Sequence, residues 1–184
     1  MSQPDRPYFQ LEQARQVAKA FAKHRVEYMF IGKGGAIILG YPAATQDVDL
    51  FPKKSRENGQ NIVDALRELE FELDDSLVRN IINGVDFVQL KTGPFDLDLV
   101  FAPDGIESFE AATKRMIVVD NFPVANIRDI IASKRASGRE KDAVDLPLLE
   151  DFREELEKSM QREPKSAVEI AMELTSSRDD PHGE

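Results

Sequence analysis

Leu11, Ala14, Val17, Ala18 and Phe21 recur at helical intervals through LEQARQVAKAFAKHR and predict an amphipathic first helix. The period then shortens. YMFI (28–31) is an apolar strand, and after a glycine cluster AIILG predicts a short buried helix ending at Gly40. Asp47 to Phe51 returns as a strand. SRENGQNIVDALRELEF opens on Ser55, a candidate N-cap, and carries Ile62, Val63, Leu66 and Leu69 on one face. VDFVQL (85–90) and FDLDLVF (95–101) predict paired strands joined by a Lys-Thr-Gly-Pro turn, and MIVVDNFPVA predicts a hairpin around Asp120-Asn121. From Asn126 the pattern turns helical again, as one or two helices with breaks possible at Gly138 and Pro147. Beyond about residue 163 apolar positions thin out. Residues 163–184 read as a flexible acidic tail in which SAVEIAMEL (166–174) could form an amphipathic turn or two. The expected architecture is one α/β (α+β) domain over 1–162, with a small mixed β-sheet flanked by helices and a helical C-terminal extension.

Against this pattern the acidic residues of two strands stand out. Residues i and i+2 of a strand share a face, so Asp47 and Asp49 project together while Val48 and Leu50 face the core. In FDLDLVF, Asp96 and Asp98 alternate in the same way with Phe95, Leu97 and Leu99. Carboxylates held side by side repel one another unless a cation offsets them, and an oxygen-only donor set suits Mg2+. If the two strands are neighbours, three or four carboxylates converge, an arrangement suited to two-metal phosphoryl or nucleotidyl transfer. Each Asp-x-Asp alone is more often a solvated strand edge or a turn. The repetition on two strands, with glycines before the first, favours the metal reading.

Gly32, Gly34 and Gly35 leave two readings open. They let the backbone approach a phosphate at a helix N-terminus, or they form a tight strand-to-helix turn with no ligand. Neither a Walker loop nor a Rossmann fingerprint fits the spacing of IGKGGAIILG.

Composition narrows the chemistry further. The 184 residues contain no cysteine and only two histidines, His24 and His182, which excludes thiolate chemistry and makes a histidine-rich metal site or a Ser-His-Asp triad a poor fit. A formal charge of −10 argues against a dedicated duplex-binding surface, though not against a brief encounter with an RNA end or a basic partner protein. There is neither a membrane-length apolar run nor a signal pattern, so a cytoplasmic protein is expected, without a membrane partner.

Together IGKGGAIILG, TQDVDLF, FDLDLVF and IIASKRASGREKDAVDLPLLE resemble the nucleotidyltransferase superfamily that includes DNA polymerase beta, over roughly residues 26–150. The likeness is greatest to small bacterial members, including the toxins of toxin–antitoxin pairs. The resemblance implies Mg2+ or Mn2+ on Asp47, Asp49 and Asp98, with Asp96 as the alternate third carboxylate. It implies nucleotide contacts from Gly32, Lys33, Gly34, Thr45, Lys134, Arg139 and Lys141. It further implies an NTP substrate, a hydroxyl acceptor (an RNA end, a protein or a small molecule), and an antitoxin-like protein partner. Two positions depart from the family pattern. Lys33 stands where the glycine turn carries glycine or serine, and Ala43 stands where many small members carry arginine. A lysine at 33 could contact phosphate directly or could fill the site. The departures make a catalytically degenerate binding or regulatory module the alternative reading.

Overall fold

The computed structural model describes residues 7–162. Within them lie six strands and seven helices, the last of them 22 residues long. The expected tail, with its SAVEIAMEL segment and His182, lies outside the described residues. The strands are β1 (Tyr28–Ile31), β2 (Asp47–Pro52), β3 (Phe87–Leu90), β4 (Asp96–Val100), β5 (Ile117–Val119) and β6 (Phe122–Val124). They form one mixed sheet in the order β3-β4-β2-β1-β6-β5. β2 runs parallel to β4 and β1 parallel to β6, while the remaining neighbours are antiparallel.

The sheet has two unlike faces because Asp47–Leu50 of β2 and Asp96–Leu99 of β4 alternate aspartate with apolar residues. Phe30, Leu50, Leu97 and Leu99 are fully buried on one side, where helices α1 (Leu11–Lys23) and α3 (Arg56–Glu68) supply Val17, Phe21, Ile62 and Leu66. Edge-to-face rings run from Phe21 through Tyr28 and Phe30 to Phe122, fastening α1 across β1 and β6. The other face carries Ile31 and the aspartates. It is covered toward β1 and β6 by α2 (Gly32–Ile38) and α6 (Ile127–Ser137), and is left open over β2 and β4.

Asn58 welds the start of β1 to the end of β2 from beneath. Its side-chain oxygen accepts from the Glu27 amide at 2.8 Å, and its amide nitrogen donates to the carbonyls of Glu27 and Lys53 at 2.9 and 2.8 Å. With Asn58 only 3% exposed, Asn58→Leu would leave the Glu27 N–H and the Lys53 carbonyl without these partners. Urea denaturation of that variant should show a loss of about 2–4 kcal/mol, since each of the two part-buried groups falls in the lower part of the roughly 1–3 kcal/mol that an unpaired group costs.

Most expected elements are present, with corrections. α2 begins at Gly32, so the glycine cluster forms the first turn of the helix and does not precede it. Leu11 is 45% exposed, because the buried stripe of α1 runs through Ala14, Val17, Ala20 and Phe21. Gly138, in the left-handed conformation at φ +61°, separates α6 from α7 (Glu140–Gln161). Pro147 makes no break and lies inside α7. A proline in mid-helix costs about 3 kcal/mol. Buried Leu149, the half-buried Leu146, Phe152 and Leu156, and the Arg135–Glu150 and Arg128–Glu157 ion pairs hold the helix across it. The Asp120-Asn121 hairpin has both residues at positive φ, as its two-residue turn requires. Two helices were not expected: α4 (Asp75–Asn83) and α5 (Phe109–Arg115).

Candidate active site

Strand pairing determines the centre of the site. In the parallel β2–β4 ladder Asp47 lies opposite Asp96 and Asp49 opposite Asp98, so all four carboxylates project from the open face. Asp47, Asp49 and Asp98 line a cleft of about 590 Å3, whereas half-buried Asp96 does not. Between the two candidates for a third carboxylate, the fold therefore turns Asp98 into the cleft. Asp98 is 7% exposed, and its Oδ1 is buried without a hydrogen-bond partner.

Crowding like charges on a part-buried ledge shifts their titration. Burial, then the charges of Asp98 and Asp47, push the Asp49 carboxyl up to about 7, against the pull of Lys134 and Arg139. Burial and the charge of Asp47, with a smaller push from Asp96, raise Asp98 to about 6, opposed by Lys91 and a hydrogen bond with Gln89.

Gly32 makes this ledge sterically feasible. It sits at φ +63°, a region side chains rarely adopt, and a Cβ there would collide with the Asp49 carboxyl. Lys33 lines the cleft one residue later, and its Nζ is 2.8 Å from Asp145 Oδ2 of α7. Gly34 does not line the cleft. It is buried, with its open side toward the Asp47 carbonyl and the Phe9 ring. Thr45 does line it, half-buried, and its carbonyl accepts from the Phe9 amide at 2.6 Å.

The late helices complete the opposite wall. Lys134, Arg139 and Lys141 all line the cleft. Lys134, 12% exposed at the side chain, lies 2.8 Å from Asp142, itself 7% exposed. Ser137 Oγ donates to the same carboxylate at 3.1 Å, and Arg139 Nε is 3.3 Å away. Burial works against the Asp142 charge, but the hydrogen bond and charge of Lys134, with Ser137 and Arg139, hold its carboxyl below the ordinary range. Lys141 is exposed.

Sequence reasoning missed Asp86, Phe87, Gln89, Asp104 and Asp145, which also line the cleft. Asp145 was legible in principle, since it follows Asp142 by three residues and a helix puts such a pair on one face. The others depend on where the β3 strand and the loop after β4 lie.

The donor chemistry fits a hard divalent cation. Asp47, Asp49 and Asp98 offer only carboxylate oxygens, one of them orphaned and buried, and that burial is costly without an opposite charge. The arrangement is open, however. Among the described residues no three carboxylates or imidazoles converge closely enough to enclose an ion as they stand.

No protein-family model matches the chain, and no curated protein does. Among solved structures it is similar to a candidate nucleotidyltransferase from Thermotoga maritima, with a TM-score of 0.49 and 15% identity, over 78% of this chain and 93% of that one. At that identity nothing about activity passes from that protein to this one. No helix among the described residues is long and apolar enough to cross a membrane.

Proposed function

We propose that the chain is a metal-dependent nucleotidyltransferase, moving a nucleoside monophosphate from an NTP onto a hydroxyl acceptor. The observation that carries this reading is the register of β2 on β4, which sets Asp49 beside Asp98 and leaves Asp98 Oδ1 buried and unpartnered at the cleft. Asp47, Asp49 and Asp98 would hold Mg2+ or Mn2+, which supplies charge neutralisation at the attacking and leaving oxygens when bound. Lys134, Arg139 and Lys141 face that ledge across the cleft, where cations offset charge gathering on a triphosphate. Gly32 keeps Asp49 unobstructed.

One observation favours a second reading, a binding or regulatory module with a disabled nucleotide cradle. Lys33 is tied to Asp145 and Lys134 to Asp142, so triphosphate would have to displace or share those carboxylates. A thermal-shift panel separates the two. Each of the four NTPs, with Mg2+ or Mn2+, is tested on the wild type and on the Asp47→Ala/Asp49→Ala double variant. A transferase is stabilised only by NTP and metal together, by about 2.7 kcal/mol at a hundredfold excess over Kd, and the double variant is not. No stabilisation by any NTP at millimolar concentration would leave the binding module.

A further inference from the structure

Two lysines of the cleft are paired with carboxylates of one helix. Lys33, on the first turn of α2, lies 2.8 Å from Asp145, and Lys134 of α6 lies 2.8 Å from Asp142. Three residues apart on α7, Asp142 and Asp145 share the side that closes the cleft. The two pairs are built differently. Asp142 also accepts from Ser137 and lies 3.3 Å from Arg139, and its side chain and that of Lys134 are 7% and 12% exposed. Asp145 has no second cation at ion-pairing distance among the described residues, and the side chains of Lys33 and Asp145 are 28% and 20% exposed. The Lys134 pair belongs to the packing of α6 on α7. The Lys33 pair is wetter and opens at little cost, because each charge stays hydrated when they part.

The seam around the Lys33 pair is held by other contacts. Buried Tyr41, just beyond α2, packs its ring on Phe152 of α7 with centroids 5.5 Å apart. Its hydroxyl borders both charges: after burial, Asp145 raises its pKa and Lys33 lowers it. Lys33 therefore changes partner by rotating one long side chain while α2 and α7 stay packed. Its backbone starts beside the aspartate ledge, since it follows Gly32, whose missing Cβ makes room for the Asp49 carboxyl. A phosphate chain held at that ledge has Lys33 as a neighbouring cation and Asp145 as a neighbouring like charge.

Resting on the transferase reading, we infer that Asp145 is a positioning residue that competes with the nucleotide's phosphates for Lys33 and so sets the affinity of the cleft. Asp145 is the resting counter-ion of Lys33. It restrains nucleotide binding in two ways, by holding the lysine and by standing as a like charge among the residues that line the cleft. When the phosphates leave, Asp145 takes the lysine back, so the carboxylate favours release by as much as it hinders binding. The Lys33 contact then marks a cradle under restraint, in which removing one carboxylate exposes a further cation to the ligand.

The test is calorimetric binding of inorganic tripolyphosphate with Mg2+ to the full chain, a probe that needs neither a preferred base nor an acceptor. It is run on the wild type, Asp145→Asn, Lys33→Ala, the double variant and Asp145→Glu. Asp145→Asn should bind on the order of tenfold tighter than the wild type, and the gain should shrink with added salt. In the Lys33→Ala background the same substitution should gain about threefold at most, because only the like-charge repulsion is then removed. Asp145→Glu keeps the charge and should stay within about twofold of the wild type. The stabilisation by NTP and metal should grow in Asp145→Asn. No tightening in Asp145→Asn, or an equal gain with and without Lys33, overturns the inference; if NTP and metal still stabilise the wild type, the transferase reading stands. If NTP and metal stabilise none of these proteins, Asp145→Asn included, the transferase reading falls and the inference with it.

Discussion

Asp49→Asn should abolish the proposed nucleotide transfer while making the metal-free protein more stable at pH 8. The two effects share one cause. Burial and the neighbouring Asp98 and Asp47 hold the Asp49 carboxyl at about 7, far above the roughly 3.9 of an unfolded chain. Between those values the native state keeps a proton that the unfolded state has lost. Stability is therefore undiminished below the unfolded value, falls as pH rises through roughly 4 to 7, and stays low above that. Asp98, raised to about 6, steepens the fall within the same window. The full penalty is on the order of 4 kcal/mol, and an amide removes much of it. Thermal unfolding in chelator should show the variant's Tm roughly 5–10 °C higher at pH 8, with the gain vanishing near pH 4. A variant no more stable than the wild type at pH 8 would mean that Asp49 is well solvated and not a stored cost.

Lys134→Ala should have the second large effect, this time a loss. Lys134 and Asp142 form a pair with both side chains largely out of water, and truncating the lysine leaves a buried carboxylate supported, among the described residues, by Ser137 and the exposed Arg139. Breaking such a pair costs about 3–5 kcal/mol, and the two remaining partners place the expected loss near about 3 kcal/mol. Lys134→Met/Asp142→Leu should recover most of it, since both charges leave together. If Lys134 also meets triphosphate, the rescued double variant will fold like the wild type yet lose its NTP-dependent thermal shift. Full retention of that shift would confine Lys134 to a structural role.

The two Asp-x-Asp strands were legible because period-two alternation fixes which residues share a face. Whether Asp96 or Asp98 enters the cleft was not, since that depends on what α2, β3 and the loop after β4 build above the ledge. The helices α4 and α5 left only local signals. Asp74 and Ser108 cap them by accepting from the Leu77 and Ala111 amides, and Gly84 ends α4 at φ +60°. At nine and seven residues, such helices show too few turns for a hydrophobic period to stand out. Pro147 misled in the opposite direction, because packing on α6 outweighs a local preference. Lys33 shows what no local rule reaches. Whether it meets phosphate or a carboxylate is decided by Asp145, which only the folded chain brings to it.

The division of the cleft into an acidic sheet and a basic helical wall also has a consequence for the order of assembly. β2 and β4 come from the first part of the chain, whereas α6 and α7 follow β6, the strand that lies parallel to β1 in the middle of the sheet. Contacts so distant in sequence close late in folding, and during synthesis they must wait for the C-terminal helices to emerge. A partly made chain would therefore carry the carboxylates before it has any of the α6–α7 cations. On the transferase reading proposed above, triphosphate would meet those cations only after α7 (Glu140–Gln161) has been made, so a product stalled before α6 should bind nucleotide poorly.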